Sequence, residues 1–520
     1  MQGGPDTERT EQAMLNNEWK HFKSGTDIRG VAVDGVPGEP LDLTDERVKA
    51  MAAGFAAWLA RRTGKPAGEL TVSVGRDSRV SGPRLRDAVT AALTAAGVTV
   101  LDCGLASTPA MFMTTVDLGC DGAVQLTASH HPYHRNGLKF FLPSGGLEGS
   151  DIEAVLYNAQ EGVKPAPGAG SCRPVDYMTQ YAARLRRLIC EGVKAADYDR
   201  PLAGFHIVVD AGNGAGGFYA GEVLAPLGAD VSGSQFLEPD GRFPNHIPNP
   251  ENGEAMRSVC EATVRAGADL GVIFDTDVDR AGCVDEAGRE INRNRLVALA
   301  AAIALEGNPG GTVVTDSITS SGLKAFIEKD LGGTHCRFKR GYKNVINEAI
   351  RLNREGINCP LAIETSGHAA LRENYFLDDG AYLMTKIIIK AAQLRAAGKT
   401  LDSLIASLAE PAEGVELRFG IREADFRACG NAVLAGLEAY AREKGWAVAD
   451  DSREGVRISF GKGEGDGWLL LRLSVHDPVM PLNIESDTAG GCRVIAEKLA
   501  GYLNGCAGLD RAALESYLAG

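Results

Sequence analysis

At 520 residues the chain is too long for one hydrophobic core, and roughly three or four domains are expected. Its 44% apolar and 23% charged residues are those of an ordinary soluble protein, and 64 glycines suit the many tight loops of an α/β enzyme. A net charge of −14 argues against nucleic acid and anionic membrane surfaces as partners, so a phosphate ligand has to be captured by local basic groups and a metal.

Residues 1–20 are polar, lack the apolar segment of a signal peptide, and read as a loose tail or a short docking helix. From there a short β-rich run, a Gly- or Asp-rich turn and an Ala/Leu-rich helix recur. TVSVGRDSRVSG (71–82) predicts strand then loop, with a helix over 83–96 and a strand over 98–104. GAVQLTASHHP (122–132) repeats strand then loop, and GFHIVVDAGNGAGG (204–217) predicts strand, glycine turn and a following helix. The segments at 271–280, 311–322 and 360–368 complete the series. This alternation predicts open α/β sheets with ligands at the carboxyl ends of strands. The last hundred or so residues change character: a helix over 423–445, adjacent strands over 456–461 and 468–475, PLNIES, and a helix from about 488 to 504 predict an α+β domain. The expected organisation is thus an extension (1–20), three similar α/β domains with mixed sheets (21–178, 179–290 and 291–410) and a smaller α+β domain (411–520). PAPGAGSCRP (165–174) reads as a linker or a surface loop. No run approaches the ~18 apolar residues of a membrane span, so a cytoplasmic location is expected. Eleven scattered cysteines with no C-x-x-C pair read as reduced core cysteines.

Four loops carry residues suited to chemistry. In FDTDVDR (274–280), Asp275, Asp277 and Asp279 follow an apolar strand and can converge on one point; all-oxygen ligands favour Mg2+ over zinc, against the plain alternative of a solvated acidic turn. In LTASHHPYHRNGLKFF (126–141), Ser129 is flanked by His130 and His131, with Lys139 nearby: a nucleophile beside a base, or simply a turn. In IETSGH (363–368), Glu364, Ser366 and His368 alternate after a strand, a spacing that suits gripping sugar hydroxyls; a helix cap and a core histidine are the bland alternative. In RLSVHDP (472–478), Arg472 and Ser474 offer a guanidinium fork and a hydroxyl to a phosphate.

In this order the four loops resemble the α-D-phosphohexomutase superfamily, over about residues 20–504. TASHHP is similar to the family's TASHNP phosphoserine loop with His131 in place of Asn; DTDVDR resembles DGDGDR with both glycines lost; ETSGH resembles the GEMSGH sugar loop, Ile363 standing where the first Gly belongs. SGTDIRG (24–30), VGRDSRVSG (74–82) and VVDAGNGAGG (208–217) match the family framework. The phosphate loop departs most: Arg472, Ser474 and Pro478 stand in register with R-x-S-x-T-x-P, whereas Val475, His476 and Asp477 differ.

The resemblance implies a mutase that interconverts hexose 1-phosphate and hexose 6-phosphate through phosphorylated Ser129 and a bisphosphate intermediate. It implies one Mg2+ per chain, held by Ser129 phosphate, Asp275, Asp277 and Asp279, with hexose 1,6-bisphosphate as activator. Lys139 and His368 become candidate acid/base groups, and Arg280 and His130 are further catalytic candidates. Glu364 and Ser366 would hold the sugar; Arg472, Ser474, His476, Arg29 and Lys343 would hold the non-reacting phosphate. The expected partner is a small phosphosugar, for a monomer or homodimer. Two rival readings remain: a family member that binds phosphosugar without turning it over, and a haloacid-dehalogenase-type phosphatase with Asp275 as nucleophile.

Overall fold

The computed structural model describes residues 14–474 and 477–520, in two compact units. The first runs through Glu290 and includes Asp379–Thr385; the second comprises Ile291–Asp378 and Lys386–Gly520.

The first unit holds two sheets. In the larger, Thr71–Arg76 lies between parallel neighbours Thr99–Leu105 and Gly122–Leu126, and Arg135–Leu142 and Asp27–Val31 extend it antiparallel. Buried Val and Leu on these strands pack under helices Asp45–Thr63, Gly82–Ala95 and Gly149–Gln160. Asp45–Thr63 shows why such helices form. Thr44 accepts from the Arg47 N–H, acids fill the first turn and arginines the last, and Gly64 closes the end in the left-handed conformation. Its fully buried Phe55 meets Phe140, ring centroids 4.5 Å apart; truncating such a ring to alanine costs about 3–5 kcal/mol. In the second sheet, Leu270–Phe274 pairs parallel to Ile207–Asp210 and antiparallel to Ala281–Asp285, so residues 275–280 form a hairpin loop.

Three local expectations are refined. Ser171–Pro174 pairs parallel to Thr99–Leu105 as an edge strand, so 165–174 leads into the sheet and is not a linker; an edge position tolerates the missing N–H of Pro174. After the glycine turn at 210–217 there is no regular α-helix: Tyr219–Leu224 is π-helical and Ala225–Leu227 a 3₁₀ turn. Pro226 lacks the N–H an α-helix needs, and Gly221 lowers helix propensity. At the amino end, Asn17–Lys20 is a single capped turn.

In the second unit, Thr334–Arg337, Thr312–Thr315 and Leu361–Ile363 run parallel, followed by antiparallel Ala369–Leu371 and Leu377–Asp378. The C-terminal sheet is a five-stranded antiparallel array in the order Glu413–Gly420, Val479–Ser486, Gly467–Leu471, Val456–Phe460, Ala447–Val448. PLNIES lies inside the strand Val479–Ser486, and Glu413–Gly420, whose Val415, Leu417 and Phe419 alternate with charged residues, is a strand the sequence reading passed over. Among the described residues no helix is long and apolar enough to cross a membrane. Six of the eleven cysteines are buried and all are free thiols.

Candidate active site

In the first unit the loops after three strands, from both of its sheets, converge. Ser129 follows Gly122–Leu126, Asp77 to Arg79 follow Thr71–Arg76, and the acidic loop follows Leu270–Phe274. The Ser129 hydroxyl donates to Asp275 Oδ2 (3.1 Å) and accepts from Arg280 Nη2 (2.8 Å). Arg280 Nη2 also meets His130 Nδ1 (2.6 Å), while His130 itself is exposed. Asp275, Asp277 and Asp279 are buried, and one oxygen from each lies within 4.8 Å of the others. Lys139 Nζ stands 3.3 Å from Asp277 Oδ2 and ion-pairs with Asp279. Burial opposes the Arg280 charge, but Asp275, then Asp279, Glu251 and Asp277, outweigh it and raise its pKa. His131 behaves oppositely: burial, then Arg29, Arg79, Arg135 and Arg280, push its imidazole down to about 4, so it stands neutral. Arg29 is tied to the serine loop itself, donating to the Thr127 carbonyl and pairing with Asp27 (2.7 Å).

In the second unit the strand Leu361–Ile363 ends at Glu364, whose Oε1 accepts from the Gly341 N–H (2.5 Å) and whose Oε2 receives Ser366 Oγ (3.4 Å). Burial, reinforced by Asp316 and opposed by His368 and Arg340, pushes the Glu364 carboxyl up to about 7. His368 Nδ1 bonds Asp378 Oδ2 (2.6 Å), and its ring stacks on Tyr342 at 5.1 Å. Lys343, next to Tyr342, is half-buried. Arg472 is buried, with Nη1 3.9 Å from Glu454 Oε1. Ser474 is half-buried and bonds the Val479 carbonyl through its N–H (2.9 Å). His476 lies outside the described residues.

Sequence profiles of the three phosphoglucomutase/phosphomannomutase alpha/beta/alpha domains match residues 23–164, 185–288 and 292–412. A phosphoglucomutase of Neisseria gonorrhoeae is 31% identical over 464 residues, 89% of this chain and 92% of that protein. A phosphoglucomutase/phosphomannomutase of Thermococcus kodakarensis is 31% identical over 474 residues, 90% and 95% of the two chains. The crystal structure of a phosphoglucomutase/phosphomannomutase family protein from Burkholderia thailandensis superposes with a TM-score of 0.77 at 27% identity, covering 95% of this chain and 98% of that one. The chain belongs to the α-D-phosphohexomutase superfamily.

The acidic loop carries Val278 where the DGDGDR pattern has its second glycine. Its φ of +68° is left-handed, a conformation that costs a β-branched residue about 1–2 kcal/mol. The loop takes this left-handed turn without a glycine, and its surroundings hold it. Ala215 N–H donates to the Thr276 carbonyl (2.8 Å), and Gly214 approaches so closely that a Cβ there would lie 2.6 Å from that oxygen. Thr108, at the start of the helix Thr108–Asp117, bonds Asp277 through both its N–H (2.8 Å) and its hydroxyl. Gly380 N–H donates to the Val278 carbonyl (3.1 Å), and a Cβ on Gly380 would meet the Arg280 carbonyl carbon at 2.7 Å. Sequence reasoning assigned no role to Thr108, Gly214 or Gly380. Only the Ser-Thr-Pro start of the helix after 107 was a readable local signal.

The donor set fits a hard divalent cation. Asp277 Oδ1 is buried with no hydrogen-bond partner, an arrangement that is costly for a carboxylate unless a cation accepts it. The three aspartates would hold Mg2+ through oxygen alone, with no sulfur or imidazole to favour zinc.

Proposed function

We propose that this enzyme interconverts hexose 1-phosphate and hexose 6-phosphate, with Ser129 carrying the phosphoryl group and hexose 1,6-bisphosphate as intermediate and activator. The observation that carries the reading is the contact set of Ser129 Oγ: Arg280 on one side and Asp275 of the acidic trio on the other. One Mg2+ held by Asp275, Asp277, Asp279 and the Ser129 phosphate would neutralise charge on the transferring group. A sugar hydroxyl attacks phosphorus as the bond to Ser129 Oγ breaks, and its proton passes to a base. Arg280 stabilises the departing oxygen of Ser129. Lys139, ion-paired beside the trio, is the proton donor to that oxygen; His368, with Nδ1 on Asp378 so that Nε2 is its basic nitrogen, is the acceptor. Transfer of the other phosphoryl group back to Ser129 completes the cycle, with the proton movements reversed.

Glu364 and Ser366 hold ring hydroxyls, while Arg472, Ser474, His476, Arg29 and Lys343 serve the non-reacting phosphate, and His130 backs Arg280. The domain limits near 20, 178, 290 and 410 go with this reading, as do a cytoplasmic location, action on free phosphosugar rather than nucleic acid, and a monomeric or homodimeric state.

The test is incubation of the full chain with Mg2+ and hexose 1,6-bisphosphate bearing labelled phosphate. Label that resists hydroxylamine, and disappears in Ser129→Ala, is expected; hydroxylamine-labile label would move the nucleophile to Asp275. A coupled assay on glucose 1-phosphate, mannose 1-phosphate and glucosamine 6-phosphate identifies the sugar. Binding of all three without turnover would replace the mutase reading with a non-catalytic one.

A further inference from the structure

Arg79 makes an unusual set of contacts for a residue outside the chemistry described above. Its side chain is fully buried, where an arginine is tolerated only with its charge paired. The charge lies 3.2 Å from Asp77. The guanidinium donates to four carbonyls between Ser129 and the first residue of the strand Arg135–Leu142: Nη2 to Ser129 and to His131 (2.6 Å), Nη1 to Pro132 (2.7 Å) and to Arg135 (2.9 Å). The Ser129 carbonyl is buried at this contact and needs such a partner, and the Pro132 carbonyl also accepts from the Arg135 N–H (3.0 Å).

The conformation being held is itself strained. Ser129 has a φ of +48°, worth about 1–2 kcal/mol of unfavourable backbone energy in a residue with a side chain. Both of its backbone polar groups are pinned: Thr127 Oγ1 accepts its N–H at 2.9 Å, and Arg79 takes its carbonyl. Arg79 is in turn seated from the other side. The Phe243 ring lies 5.2 Å under its guanidinium, and Gly241 presses on its backbone, where a Cβ would come within 2.4 Å of Ser78 O and Val80 N.

We propose that Arg79 is a positioning residue for phosphoryl transfer, a clamp, seated by Gly241 and Phe243, that keeps Ser129 in its left-handed conformation with Oγ aimed at Arg280 and Asp275. The inference rests on Ser129 being the phosphoryl carrier. Without the clamp the backbone at 129 relaxes toward an ordinary φ and the hydroxyl swings off line; misplacement by about 1 Å slows such a step roughly a hundredfold.

The experiment is rapid-quench labelling of the full chain by hexose 1,6-bisphosphate with Mg2+, comparing the native chain, Arg79→Lys and Gly241→Ala. In Arg79→Lys the rate constant for labelling Ser129 should fall by about a hundredfold at undiminished amplitude. The Mg2+ dissociation constant and the phosphosugar KM should stay within about threefold. Gly241→Ala, which leaves the guanidinium chemistry intact, should slow labelling in the same sense. A merely structural role would lower the amplitude, as fewer molecules fold, and leave the rate constant unchanged; that result overturns the inference. If Arg79→Lys does not fold, Gly241→Ala decides alone, and a native rate constant in it rejects the clamp. Absence of label on Ser129 in the native chain instead overturns the underlying reading, and the clamp with it.

Discussion

At the scale of single residues the site is a balance of buried charges, and each role predicts its own response. Ser129→Ala removes a hydroxyl but leaves Arg280 and Asp275 paired with each other (3.1 Å), so no buried charge is orphaned. Turnover should vanish while denaturant unfolding shifts by less than about 1 kcal/mol. Asp277→Asn keeps an acceptor for Thr108 but removes one negative oxygen donor; the Mg2+ dissociation constant, titrated by activity, should rise at least about tenfold. Glu364 makes two predictions of opposite sign. Its folded-state pKa of about 7 exceeds its ordinary 4.5, so between these values the folded chain holds a proton that the unfolded chain has released. Its contribution to stability therefore falls as pH rises through that window, by of order 1–3 kcal/mol, and levels off above it. Only the ionised carboxylate is a pure acceptor for sugar hydroxyls, so kcat/KM should fall as pH drops below about 7. Glu364→Gln should flatten both limbs.

At the scale of elements, the acidic loop keeps its form because neighbouring segments dictate it. Val278 holds a left-handed φ without being a glycine, since the Phe274 to Ala281 pairing fixes both ends of the loop. Gly380 touches the same loop from a distant stretch of sequence. Gly380→Ala places a Cβ 2.7 Å from the Arg280 carbonyl carbon and 3.0 Å from the Val278 oxygen, backbone atoms that cannot rotate away. A thermal-unfolding comparison should show a loss of about 1–3 kcal/mol, with a weakened Mg2+ response in activity, although alanine is otherwise the better helix former. The helix Thr108–Asp117 works the same way: its Ser-Thr-Pro start, legible as a helix signal, also places Thr108 on Asp277.

At the scale of the whole molecule, ion binding and folding are linked, because the acidic trio exists only in the folded first unit. Mg2+ at about a hundred times its dissociation constant should stabilise the chain by about 2.7 kcal/mol in calorimetry, an effect that Asp277→Asn should cut to about half or less at the same Mg2+ concentration. The α/β alternation, the α+β end and the four loops were legible in the sequence because they depend on local periodicity and on residue types at fixed short spacings. The strand Glu413–Gly420 was passed over although Val415, Leu417 and Phe419 alternate with charged residues, and the edge strand Ser171–Pro174 because proline and glycine mask it. Arg29, proposed above for the non-reacting phosphate, also holds the Thr127 carbonyl, a partner 98 positions away that sequence spacing does not reveal. Arg79, Thr108, Gly214 and Gly380 carried no signal of these contacts, since each acts on a segment far along the chain. The sequence by itself determined which loops carry the hydroxyl, the carboxylates and the basic groups, because those are properties of residue type and short-range order. Only the tertiary structure decided that Ser129 Oγ lies 3.1 Å from Asp275, which backbone conformations are strained and what restrains them, because such contacts arise where segments distant in sequence are packed together.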